Sequence, residues 1–194
     1  MDVSRVLLLR DRLATSGWVE RTADFARALN RSSAKGSLLL VGTPVDEPWH
    51  LAAHLEDEAR ASGRTHLAPV LVRWSPPPEA PPHLRVGLDR LEKASRGETL
   101  FVVAADAAPE QLLQRVADAR RIGATILSID RGDGELGGLA HDRLVVPELI
   151  RAEVDLDTVQ HLVSVAAGEY VGRDSTRDRL ARILDRLAGP APRR

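Results

Sequence analysis

The chain has 194 residues, a formal net charge of -1 and no cysteine. That length suits one domain with a real core, and so small a charge gives no bulk attraction to a nucleic-acid backbone. Disulfides, cysteine-ligated metals and thiol nucleophiles are excluded, and with 3% aromatic residues there is little on which bases could stack. No apolar run approaches the roughly 20 residues that span a bilayer. Near the amino terminus only residues 6–9 form an apolar run before Arg10 and Asp11, so no signal segment is expected. The expectation is a cytoplasmic protein with no membrane contact, no direct nucleic-acid binding and no cofactor.

Residues 3–13 and 19–29 read as two helical segments broken near Ser16 and Gly17. In the second, Val19, Ala23, Ala26 and Leu29 recur on one face, with Thr15 or Ser16 as the expected cap. Residues 37–41 are an apolar run ending at Gly42, read as the first parallel strand, and residues 43–48 are a loop. A helix is expected over 49–61, with Leu51, Ala52, Leu55 and Ala59 on one side, and a second strand over 67–74. Residues 75–82 contain five prolines in eight positions. Such a stretch can be neither a helix nor an inner strand, so it reads as an extended surface loop of polyproline character. A helix over 84–94 leads on from it.

The most informative stretch is 98–130. A strand-like run at 99–103 turns through residues 104–109 into a helix-like segment with Leu112, Leu113, Val116 and Ala119 at three- and four-residue spacing. Gly123 stops that helix and residues 124–129 form another apolar run. Two buried-type strands joined by an amphipathic helix make a right-handed crossover of a parallel sheet. Ligands of open α/β sheets bind beyond the carboxyl ends of the strands. The turn through Ala104, Ala105, Asp106, Ala107 and Ala108 is therefore the expected ligand loop, with Asp106 also suited to capping the next helix. A short helical turn at 136–141, a strand at 143–147, an Ala- and Val-rich helix at 156–171 and an amphipathic helix at 174–188 complete the domain, and 189–194 reads as a flexible tail. The 156–171 helix is apolar on most sides, which calls for burial inside the molecule or in an oligomer interface.

These runs resemble the sugar isomerase (SIS) domain, nearest to phosphoheptose isomerase and its non-catalytic DnaA-binding relatives. The resemblance rests on Val41-Gly42 with the helix reading Trp49-His50-Leu51-Ala52-Ala53-His54-Leu55, on the 98–130 stretch, and on Leu139-Ala140-His141-Asp142-Arg143-Leu144-Val145-Val146-Pro147 with the helix after it. It implies a three-layer α/β sandwich with a roughly five-stranded, mostly parallel Rossmann-type sheet and extra terminal helices, spanning residues 1–188. It also implies a homodimer or homotetramer formed through the helices near 19–29 and 156–171.

The motifs that carry the family's chemistry are replaced. Its phosphate loop is rich in Ser and Thr, whereas residues 103–108 contain no Ser, Thr or Gly. In the first loop only Thr43 offers a hydroxyl. His54 stands where the family has its catalytic glutamate, and Gln160, followed by His161, where it has its catalytic histidine. Aldose–ketose isomerisation needs a base that carries a proton between adjacent carbons, and glutamine cannot do so. The sequence therefore predicts a non-catalytic binding or regulatory protein. Its partners would be itself and either a sugar phosphate or another protein. The alternative is a phosphosugar isomerase or sensor with a rebuilt pocket, in which His54, Gln160, His161, Asp106 and Thr43 act. His50 and His54, one helical turn apart, are a weak candidate pair for a metal ion, lacking the glutamate of the zinc-protease motif at Leu51.

Overall fold

Runs of four and six mostly apolar, almost wholly buried side chains form the centre of the molecule. In the computed structural model, which describes residues 17–146, 148 and 155–168, the strands are β1 (Leu38–Val41), β2 (Val70–Val72), β3 (Thr99–Ala104), β4 (Thr125–Asp130) and β5 (Asp142–Val145). They form one sheet in the order β2-β1-β3-β4-β5. Every pairing is parallel, with Leu40 opposite Phe101 and Phe101 opposite Leu127 at the middle. The sheet is thus wholly parallel rather than mostly so.

The helices are α1 (Trp18–Ser33), α2 (Trp49–Ser62), α3 (Asp89–Glu92), α4 (Glu110–Ile122), α5 (Gly134–Leu139) and α6 (Leu156–Gly168). Successive strand residues point to opposite faces, and this divides the core in two. Leu38, Leu40, Phe101, Val103, Leu127 and Ile129 pack under α1, α2 and α6. Leu39, Val41, Leu100, Val102, Ala104 and Ile126 pack under α3, α4 and α5. Phe25 of α1 meets Phe101 with ring centroids 5.5 Å apart and tilted planes. The crossover read at 98–130 is β3-α4-β4: Leu112, Val116 and Ala119 face the sheet, and Gly123 closes α4 at φ 105°. Only glycine adopts that conformation without strain.

Several expectations are corrected. The strand expected over 67–74 is only β2, because residues 65–67 first make a 3-10 turn. The helix expected over 84–94 shrinks to the four residues of α3, preceded by a 3-10 turn at Pro82–Leu84. The proline-rich segment is not a straight polyproline rod, since Ala80 N–H bonds the Pro77 carbonyl at 3.1 Å and turns the chain. The N-cap of α1 is Gly17, with no side-chain cap. Helix α6 is buried along nearly its whole length, Gln160 and Ser164 included, already within one chain. The helices expected at 3–13 and 174–188 and the tail lie outside the described residues.

Candidate functional site

The order β2-β1-β3-β4-β5 places a topological switch point between β1 and β3, where the chain leaves one strand for α2 and the other for α4 on opposite faces. In such sheets the crevice beyond those two strand ends is the ligand site. Here it is bounded by the loop after β1 and the turn after β3.

The loop after β1 is closed on itself. Thr43 N–H bonds the Asp46 carbonyl at 3.1 Å and Asp46 N–H bonds the Thr43 carbonyl at 3.3 Å. Glu47 ties this turn to the end of β2: its carboxylate accepts from Arg73 Nε, Trp74 N and Trp49 Nε1 at 3.0, 3.0 and 3.1 Å. Arg73 lies over the Trp49 ring at 4.3 Å, and Trp74 Nε1 donates to the Gly42 carbonyl at 2.9 Å. The Thr43 hydroxyl oxygen is buried and has no hydrogen-bond partner. Val45 projects from the tip, 84% exposed.

The turn after β3 is held from β4. Ala104 is fully buried at the strand end, Ala105 is partly buried, and Asp106 and Ala107 are exposed. Ala108 N–H donates to Asp133 Oδ2 at 2.8 Å. Asp106 therefore does not take the expected capping role: α4 begins after Pro109 with no side-chain cap. Asp133 instead receives the N–H of Ala108 and, through its other oxygen, those of Glu135 and Leu136 at the start of α5. Burial opposes the charge of Asp133, but these N–H groups and the Arg143 charge outweigh it and hold its pKa below the usual carboxylate value. Asp130, fully buried at the end of β4, anchors the same corner. It accepts from Ser128 Oγ at 3.0 Å, Gly132 N at 2.8 Å, Asp133 N at 3.2 Å and the Arg143 fork at 2.8 and 2.5 Å. Arg143 also donates to the Asp133 carbonyl at 2.7 Å.

Helices α2 and α6 pack against each other. His54 and His161 meet across them with ring centroids 4.4 Å apart. Gln160, buried, donates its Nε2 to Asp157 Oδ1 at 3.1 Å, while its Oε1 is buried with no partner. His50 Nδ1 lies 3.3 Å from Asp157 Oδ2. His50 and His54 thus engage different partners, and among the described residues no group of three or more His, Asp or Glu is arranged to hold a metal ion.

The pKa of Asp46 is raised, first by burial and then by the charges of Asp157 and Asp106, with Arg131 acting in the opposite sense. A carboxyl raised in the folded state costs stability at neutral pH, and the cost disappears below its unfolded pKa. Asp46 in the β1 loop thus feels the charges of Asp106 in the β3 turn, Asp157 at the start of α6 and Arg131 after β4. Thr43, Asp106, His54, Gln160 and His161 are candidates from the sequence; Asp46, Arg131 and Asp157 are not among them. The strand-end rule, applied to β1 and β4 as it was to β3, reaches the first two. Asp157 lies one helical turn before Gln160.

No family model matches the chain, and no curated protein is significantly similar to it. Solved structures are. A candidate phosphosugar isomerase from Silicibacter pomeroyi superposes with a TM-score of 0.59 at 15% identity, over 96% of this chain and 54% of that one. A candidate sugar-binding protein from Salmonella typhimurium gives 0.50 at 14% identity, over 90% and 56%. A candidate phosphosugar isomerase from Bacillus subtilis gives 0.50 at 9% identity, over 89% and 51%. The chain spans about half the length of each. No described helix is long and apolar enough to cross a membrane. The five-stranded parallel α/β fold of this chain is the fold of those candidate phosphosugar isomerases.

Proposed function

We propose that this protein is a non-catalytic binding or regulatory module on a sugar-isomerase-like scaffold, in which the phosphosugar site is largely lost. The observation that carries this reading is what occupies the switch point. Binding a phosphate dianion calls for convergent N–H, hydroxyl and cationic donors. Here the N–H groups of Thr43 and Asp46 are engaged within their own turn and that of Ala108 is engaged by Asp133. Asp46, Asp106 and Asp157 contribute negative charge in their place. Each missing charge-assisted hydrogen bond weakens binding by about 1.5–3 kcal/mol, so losing three removes several decades of affinity at about 1.4 kcal/mol per decade. Self-association belongs to the same proposal on the strength of the resemblance alone, because α6 already buries its apolar surface within one chain.

The second reading, a rebuilt isomerase, is favoured by one contact: the partly exposed imidazole of His54 beside His161. A base there would exchange the carbon-bound proton next to the substrate carbonyl with solvent. The two readings separate by NMR of fructose 6-phosphate and glucose 6-phosphate incubated with the protein in deuterium oxide. We expect no deuterium at C1 or C2 above the protein-free rate. Incorporation that disappears in His54→Ala would establish the isomerase.

A further inference from the structure

We propose that His141 is an acid-operated latch: its neutral ring closes the start of β5 onto β4, and protonation of the ring releases it. His141 meets Ile126 twice. Its backbone N–H donates to the Ile126 carbonyl at 2.8 Å, and its ring Nδ1 accepts the Ile126 N–H at 2.9 Å. Ile126 is the second residue of β4, whereas the register of β4 with β5 begins at Leu127 opposite Asp142. The imidazole therefore stands where the ladder needs one more carbonyl, and supplies the acceptor itself.

That bond sets the protonation state. A nitrogen that accepts an N–H carries no proton of its own, so the ring is neutral with its hydrogen on Nε2. Protonation sets N–H against N–H. Ile126 is fully buried, so its amide is then left without an acceptor, and a buried donor in that state is destabilising. His141 itself is exposed, so solvent protons reach the ring. The charge that acts on it is Arg120 of α4, whose guanidinium donates to the Gly138 carbonyl at 2.7 Å. Elsewhere on α4, Arg121 pairs with Asp118 and Arg115 with Glu92. Asp130 lies at the far end of β4 and Glu135 at the far end of α5. Asp142 and Arg143, next in the chain, are engaged by Arg21 of α1 and by Asp130. Burial and the Arg120 charge lower the His141 pKa. The latch therefore contributes in full above the ordinary imidazole value of 6.5 and is lost as the pH falls through the lower folded value. Asp46, with its raised pKa, acts in the opposite sense, so the stability of the whole chain mixes the two, whereas the Ile126 amide reports the latch.

The test is amide hydrogen exchange of the full chain by NMR at about pH 7.5 and about pH 5, on either side of the imidazole range, with protection factors that remove the intrinsic pH dependence of exchange. Between the two, the protection of Ile126 is expected to fall about five- to tenfold relative to that of Phe101 in the middle of β3, the loss of one hydrogen bond. His141→Asn keeps an acceptor at the place of Nδ1 and takes no proton, so in that variant the relative protection should stay constant. The ring-nitrogen shifts of the unaltered protein give a second readout that needs no variant: Nε2–H alone at the higher pH and both nitrogens protonated at the lower. Unchanged protection of Ile126, an equal fall in His141→Asn, or a ring protonated on Nδ1 at the higher pH overturns the proposal.

Discussion

Replacing Arg143 by Met is expected to destabilise the protein by about 3–5 kcal/mol, the cost of leaving a buried charge without its partner. Asp130 is fully buried, and Arg143 closes on it with two parallel hydrogen bonds while also holding the Asp133 carbonyl. Hydrogen bonding to Asp130 raises the Arg143 pKa further. The loss spreads, because Asp130 also holds the N–H of Asp133, and Asp133 holds the N–H of Ala108 in the turn after β3. Urea unfolding followed by circular dichroism gives the number, and Asp130→Asn in the Arg143→Met background should recover part of it, since the two residues share one network. A cost below about 1 kcal/mol, the range of an exposed pair, would show that this corner is not buried as described.

Gly42→Ala is expected to cost about 3 kcal/mol, at the upper end for forcing an atom into a filled site. A Cβ at this position would press on the Asp46 carbonyl oxygen, closer than real Cβ contacts come, and lie 2.6 Å from Pro48 Cδ. Backbone and a proline ring cannot swing aside, so the Thr43–Asp46 turn must open, and the Trp74 Nε1 bond to the Gly42 carbonyl is strained with it. Gly138→Ala is the matched control. A Cβ there meets nothing within 4 Å, and the residue is helical in α5, so the change should be neutral or stabilise by about 0.5–1 kcal/mol. Thermal unfolding monitored by tryptophan fluorescence compares the two. Equal midpoints would mean that the loop after β1 is not closed on itself.

The fold was legible wherever one rule governed a whole element. Residues 38–41, 99–104 and 125–130 are buried on both faces almost throughout, so they carry mostly apolar runs, and α4 shows its period because only one face meets the sheet. Residues 84–94 misled because Leu84, Leu88 and Leu91 fit a helical period, yet the segment serves as a connection and Arg73 N–H reaches across to the Val86 carbonyl. The candidate site was less legible. The strand ends point to the crevice, and His54, Gln160 and His161 lie on helices whose registers were readable. What it contains was not, because it depends on contacts between residues far apart in the chain. Asp133 replaces Asp106 as the partner of the β3 turn across 25 positions, and Asp157 meets His50 across 107. No local pattern records such pairings.

We expect the crevice to hold no phosphorylated sugar. Thermal unfolding of the purified chain in the presence of millimolar sugar phosphates tests it most directly. A ligand at ~100 times its dissociation constant adds about 2.7 kcal/mol, which for a domain of this size moves the midpoint by roughly 5–11 °C. The account predicts no shift with any sugar phosphate beyond that given by the same concentration of inorganic sulfate. A shift of several degrees with one sugar phosphate, lost when His54 and Thr43 are replaced by Ala, would contradict it.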